Sequence, residues 1–539
     1  MKSTRAKVLI TVIIISLTYF FAFVPINNQG ARDYYMLSVF EPDEFAQYAH
    51  VIRMTNQPAN SISQSFYRLF AYQHYFYGYP FYLYSAITVV FPLKLLGIDS
   101  TTNIILMLRQ MVSVFPMLLA LGWLTFLQTK FQTYWRSVLL FVFLITIPIV
   151  IINDAWWHPE SLVFLFIVSV FYFLQKDNLS FGKNFYFAAI ACGLAIATKL
   201  IGLFFFLTIP LYIMLGFYKG NLRFNKAIQC AVGFVATMAL AFVLSSPFLF
   251  YKSEREAAFR IQNRQAEAMS DGFVLSYSKG PAPWMPLITR LYAQPLFLLV
   301  AGLALYYGVI NKEKQLLNSM IASWAIPFAI YLLFFISVKP KHFFMPILLP
   351  VFSTLPYLWD QIKPQEIKLS KQTLARWVLM FGVAGIVINQ FSYNINYLYS
   401  FYSHELHKEE NNQALVFFNQ LDEEYLSKIV LNRQLIIYRD VAVYIADESR
   451  WEVNHRWGIT DYEYIENLNP DLIVFWKQRI YDYTSEEAQS RALEPGEFSE
   501  AVRFYKDGLE NSIDGYILLY EDEFGMAYLT VDLYKEFFE

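Results

Sequence analysis

Apolar runs of ~18 or more residues, almost free of charge, recur along the first three quarters of the chain and stop near residue 393. Each is long enough to cross a ~30 Å hydrocarbon layer as a helix, so a bilayer has to supply much of the solvent. Composition agrees: 56% of the 539 residues are hydrophobic and only 16% are charged, against about 25% in soluble domains. The expected spans are 8–25, 105–127, 137–152, 160–175, 185–198, 200–216, 227–250, 291–310, 316–337, 343–358 and 377–393. Lys2, Arg5 and Lys7 precede the first run, but no convincing small-residue cleavage site follows it, so it reads as a retained span. The net charge of −2 excludes a strongly basic nucleic-acid surface, and no phosphate-cradling glycine motif is present. Cys192 and Cys230 both fall in apolar runs and read as packing residues.

Residues 79–96 are apolar enough to cross, but they carry Pro80 and Pro92 and many aromatic residues, which favour the interface. Loop charge decides between crossing and lying flat. With 79–96 along the outer surface, the inner loops hold Lys130 and Arg136; Lys176 and Lys183; Lys219, Arg223 and Lys226; Lys312 and Lys314; and Lys363, Lys368, Lys371 and Arg376. A crossing would move all of them outside and invert the positive-inside bias. The expected fold is therefore a polytopic α-helical membrane protein of eleven spans with a juxtamembrane helix in the first outer loop. Its N-terminus is cytoplasmic, and 26–104, 153–159, 251–290 and 394–539 lie outside, in a plasma (inner) membrane. Two units follow, a transmembrane domain over 1–393 and an extracytoplasmic α/β domain over 394–539. The second is expected from the strand-like runs IVLNRQLIIY, DLIVFW and GYILLYE and the turn signals between them.

Chemistry-bearing residues gather on the outer face. Glu41-Pro42-Asp43-Glu44 follows the first span, and Asn153 to Glu160 forms a short second loop in which Asp154, His158 and Glu160 are all candidates, Asp154 slightly ahead. Lys199 sits between two apolar runs, and Arg109 lies near the outer end of its span; each reads either as a cation reaching the headgroups or as a contact for a lipid phosphate. Lys339, Lys341 and His342 add a further cationic group. His50 and His158 can approach the carboxylates, so a divalent metal is compatible with the sequence but not required by it. Segment 251–290, with Arg255, Arg260 and Arg264, can be a lid or plain solvated surface.

Over about residues 1–360 this arrangement resembles the GT-C superfamily, and within it the protein O-mannosyltransferases and the lipid A aminoarabinose transferases. Pro42-Asp43-Glu44 followed by Tyr48-Ala49 is similar to the family's acidic pair, Asp154 to Glu160 to its second acidic loop, Thr198-Lys199 to its TK motif, and KHFFMPILLP to its RYLLPxLP-like segment. One departure is Gly78-Tyr79-Pro80, where many relatives carry Lys-Pro. The resemblance implies an inverting glycosyltransferase that takes its sugar from a polyprenyl phosphate, with membrane lipid around it and no nucleic acid. Asp43 or Glu44 would act as base, Lys199 with Arg109 or the Lys341-His342 group would meet the phosphate, and Asp154 or Glu160 would orient the acceptor or hold a metal. A lipid flippase or small-molecule transporter is the rival class, but no internal repeat supports it.

Overall fold

The computed structural model describes residues 2–56, 61–362 and 371–539. Lys363 and Lys368, counted above among the inner-loop cations, lie outside the described residues. Among the described residues, six helices are long and apolar enough to span a bilayer: Ser3–Asn27, Thr101–Thr129, Leu200–Tyr218, Phe224–Leu244, Gln315–Phe335 and Arg376–Leu406. Two bent pairs raise the count to as many as eight, Tyr134–Ile145 with Pro148–Asp154 at 63° and Pro281–Leu291 with Pro295–Ile310 at 91°. Proline at the start of each second helix removes a backbone donor and breaks the run there. The other three expected spans are helical too. Lys183–Thr198 and Met345–Trp359 are shorter apolar helices, and Glu160–Asp177 carries three charges at its ends.

These helices bury one side and present the other as bare hydrocarbon. On the first, Ile10, Ile14 and Phe21 are exposed while Val8, Val12 and Phe23 are buried. Such a surface is stable only in lipid, and the chain is a multi-pass membrane protein. Residues 79–95 form one helical run with a π-turn at Ala86–Val90. Tyr79, Phe81, Tyr82, Val89 and Val90 face inward and Ile87, Phe91 and Leu95 outward, the two-sided pattern of a helix lying along an interface.

The expected boundary at 393/394 falls inside a continuous helix, Lys371–Leu406, and the sheet unit starts only after it. Its five strands are β1 Leu435–Arg439, β2 Trp451–Asn454, β3 Leu472–Trp476, β4 Tyr516–Glu521 and β5 Gly525–Thr530, in the order β2-β1-β3-β5-β4. β1, β2 and β3 run parallel, and β5 pairs antiparallel with both β3 and β4. The strands β2 and β5 were not among the sequence-predicted runs.

This unit is bolted to the first loop. Met36 enters the sheet's apolar core. Arg32 pairs with Glu409 at 2.6 Å, and Tyr444 donates to Asp33 at 2.5 Å. The buried Arg439 donates to Ser38 at 2.8 Å and lies over the Tyr35 and Phe45 rings. Segment 251–290 is docked as well: Tyr67 and Tyr75 donate to Glu254, and Ser276 N–H donates to the Arg491 carbonyl at 2.8 Å.

Candidate functional site

Glu41 joins two helices, Tyr34–Phe40 and Pro42–Thr55. Pro42 opens the second, which places Asp43 and Glu44 in its first turn, where the helix dipole favours carboxylates. Successive helical residues point ~100° apart, and the two acids part company accordingly. Glu44 is fully buried: its carboxylate takes Arg109 Nε at 2.8 Å and Nη2 at 2.6 Å, and accepts the Trp157 N–H at 2.6 Å. Arg109 spends its remaining reach on the carbonyls of Asn27 and Gln29, at 2.9 and 2.7 Å. Neither side chain has a face left for a ligand. The expectations that Glu44 acts as a base and Arg109 as a phosphate contact therefore give way to a clamp that holds the first loop against the span beginning at Thr101.

Asp43 points the other way. Its side chain is 49% accessible. Burial raises its carboxyl above the ordinary range, against the pull of Lys199 and Lys341. His158 Nε2 lies 3.7 Å from Asp43 Oδ2 and hydrogen-bonds with the Tyr77 hydroxyl at 2.7 Å. The His158 ring stacks on Trp156, centroids 4.1 Å apart, and its Nδ1 meets Glu160. Glu160, in the first turn of its helix, also contacts Lys199 Nζ and lies 2.9 Å from His342 Nε2. Lys341 Nζ sits 4.3 Å over the opposite partner of that stack, Trp156.

Burial pushes both histidines well below their usual value, so their rings are neutral near pH 7, and it lowers Lys199 to about 7 against the attraction of Asp43. The ligand atoms of His158, Glu160 and His342 lie within 4.8 Å of one another and are of a type that can hold a metal. Lys199 Nζ stands between two of them, 3.1 Å from His342 Nε2 and touching Glu160, and supplies a positive charge there itself.

Lys199 is held in place by backbone geometry. It ends helix Lys183–Thr198 in an extended conformation before the 3-10 turn Leu200–Leu207. Gly78 N–H donates to the Thr198 carbonyl at 2.9 Å, and a Cβ on Gly78 would fall 1.5 Å from the Ala197 oxygen. Gly78 is thus required by close backbone packing beneath Lys199, while the position before Pro80, where many relatives carry lysine, is held by the buried Tyr79.

Of the second acidic loop, Glu160 reaches the cluster and Asp154 does not. Asp154 is fully buried and accepts from Tyr19 at 3.0 Å and Asn153 at 3.3 Å, while its carbonyl takes Asn27 Nδ2 at 3.0 Å. The slight preference for Asp154 is reversed. His50 turns to the Tyr72 carbonyl at 2.9 Å and the His74 ring, not to the carboxylates. Tyr77 and Trp156 were missed, since one more aromatic in an aromatic-rich segment carries no signal of its own.

No protein-family model and no curated protein matches the sequence. Among solved structures, ArnT from Cupriavidus metallidurans in the apo state aligns over 97% of this chain and 98% of its own, at 12% identity and a TM-score of 0.50. The same protein bound to undecaprenyl phosphate gives 0.47 at the same identity and coverage. The oligosaccharyltransferase AglB from Archaeoglobus fulgidus, in complex with an inhibitory peptide and a dolichol-phosphate, gives 0.47 at 12% identity over 97% of this chain and 74% of its own. The likeness to apo ArnT is one of fold.

Proposed function

We propose that this protein is an inverting glycosyltransferase that moves a sugar from a polyprenyl-phosphate donor to an acceptor at the extracytoplasmic face. The carrying observation is the half-accessible Asp43, facing a compact group of His158, Glu160, Lys199 and His342 inside a GT-C fold. Asp43 takes the proton of the acceptor hydroxyl or amine as that atom attacks the anomeric carbon; the carbon–oxygen bond to the phosphate breaks and the lipid phosphate leaves with its electrons. General-base assistance of this kind is worth ~10²–10⁴ in rate. Lys199, aligned by Glu160, offsets charge on the departing phosphate, with Lys341 and His342 on its flank. His158, braced by Tyr77 and Trp156, stands 3.7 Å from Asp43 and limits where its carboxylate can turn. In this reading the N-terminus is cytoplasmic and the sheet unit lies outside, where nucleotide sugars are absent and a lipid-carried donor is needed.

The test is transfer of radiolabelled sugar from a polyprenyl-phosphate donor by the purified protein in nanodiscs, with extracted envelope as acceptor, comparing wild type with Asp43→Asn and Lys199→Ala. Loss of transfer in folded variants supports the reaction class. Equal rates in all three would move the protein to the flippase or transporter reading.

A further inference from the structure

The parallel part of the sheet has the strand order β2-β1-β3. The chain leaves β1 for β2 on one side, and after β2 crosses through helix Tyr462–Leu468 to β3 on the other. Connections that diverge in this way open a crevice outside the carboxyl ends of the two central strands, the place where open α/β sheets bind ligands. A cavity of about 670 Å³ occupies that position, with Val441 and Ala442 just beyond β1, Trp457 just beyond β2, and Trp476 at the end of β3. The volume is in the range of small-molecule sites, about 300–1,000 Å³.

Two other parts of the chain close it. Tyr277 comes from segment 251–290, and Pro42, the residue before Asp43, comes from the first loop. The cleft is therefore bounded on one side by the helix turn that carries Asp43. Its aromatic faces are open: Trp457 is 53%, Tyr481 55% and Tyr277 45% exposed. Two arginines, Arg479 and Arg491, and two carboxylates, Asp482 and Glu487, share the lining, so formal charge cancels. Arg479 is held by Asp440, 3.5 Å away, and lies over the Tyr483 ring, so its charge is balanced within the wall of the cleft.

From this geometry we infer that the cleft is a binding site for a neutral saccharide, the acceptor whose hydroxyl is delivered to Asp43. The inference rests on the transferase reading for the word acceptor, and on the cleft alone for the word saccharide. Flat aromatic faces match the apolar faces of sugar rings, neutral polar lining matches their hydroxyls, and balanced charge disfavours an anionic partner. A prenyl chain needs a continuous apolar track, and the lining here is mixed. An extended peptide would add to a sheet edge, β2 or β4, whereas this cleft lies across strand ends.

Saturation-transfer NMR on the full chain in nanodiscs tests it, with neutral hexasaccharides of glucose, mannose and N-acetylglucosamine as probes, an oligouronate and a mixed-sequence peptide pool as rivals, and Trp457→Ala and Asp43→Asn as variants. At least one neutral saccharide is expected to bind, about tenfold more weakly to Trp457→Ala, as for a lost stacking face, and with unchanged affinity to Asp43→Asn. Binding with these properties in a protein that transfers no sugar would preserve the cleft and sink the transferase reading. Absence of any saccharide signal, preference for the oligouronate or the peptides, or binding indifferent to Trp457→Ala would overturn the inference. Trp457 is 53% exposed and its ring lies 6.1 Å from that of the buried Phe45, so an unchanged melting curve for its variant is what separates lost binding from lost fold.

Discussion

Asp43 and Glu44 are chain neighbours of the same chemistry in the same helical turn, and the protein uses them in opposite ways. Glu44 is sealed against Arg109 with its oxygens satisfied, while Asp43 stands half-open beside His158, within the pull of Lys199 and Lys341. One rotation of ~100° about a helix axis separates a sealed ion pair from the carboxylate we propose as the base. An acidic pair is therefore not evidence for two catalytic carboxylates; burial and satisfied bonds tell which is which.

The contrast breaks most visibly on substitution. Asp43→Asn keeps the shape and removes the base, so transfer is expected to fall ~10²–10⁴-fold with an unchanged melting temperature in detergent. Glu44→Ala should do the reverse in kind: it leaves the buried Arg109 guanidinium without its partner, which costs about 3–5 kcal/mol and shows as a lowered melting temperature or lost folded yield. A variant of Asp43 that melts as early as the Glu44 variant, or a Glu44→Ala protein as stable as wild type, would erase the distinction.

A pH profile sharpens it further. Asp43 has to be ionised to accept a proton, and burial raises its pKa, so transfer should climb with pH through a limb displaced upward from the usual carboxylate range. Lys199 has to be protonated to meet a phosphate, and its lowered value of about 7 makes transfer fall as pH rises beyond neutrality. Each limb approaches about tenfold per pH unit for a single titrating group. Lys199→Arg, whose guanidinium stays charged, should retain some transfer and lose the alkaline limb. An alkaline limb that survives this exchange would assign it to another group.

Much of the helical architecture was legible because lipid imposes a crude code of apolar length. The helical run over 79–95, expected as a surface helix, is helical with one buried and one exposed side. The site was legible only as a neighbourhood. Asp43, Glu160, Lys199 and His342 come together, but Arg109 and Asp154, equally suggestive in sequence, are consumed by Glu44 and by Tyr19 through contacts 65 and 135 residues apart in the chain. Long-range pairing of this sort leaves no local trace. β5 escaped notice because its Gly525-Met526-Ala527 start lacks the branched residues that mark strands. Asp154→Asn accordingly belongs with the clamp: melting should drop by about 1–3 kcal/mol of lost buried hydrogen bonding, with transfer kept, whereas Glu160→Gln should cut transfer and spare the fold.

The smallest expected effect concerns metal, and it turns on Lys199. His158, Glu160 and His342 have the ligand types and closeness of a divalent-cation site, yet the Lys199 ammonium already touches Glu160 and lies 3.1 Å from His342. A cation held there would have to displace that ammonium and would set two positive charges side by side, which the buried setting penalises steeply. Chelator is thus expected to change the transfer rate of wild type less than about twofold, well inside the ~10²–10⁴-fold that a lost general base would bring. Lys199→Ala removes the competing charge and leaves the three ligands together, so added zinc should bind this variant and not wild type, read by equilibrium dialysis. Equal zinc uptake by both proteins, or wild-type transfer abolished by chelator and restored by metal, would show that the lysine and the cation coexist and that the reactive edge beside Asp43 is a metal centre after all.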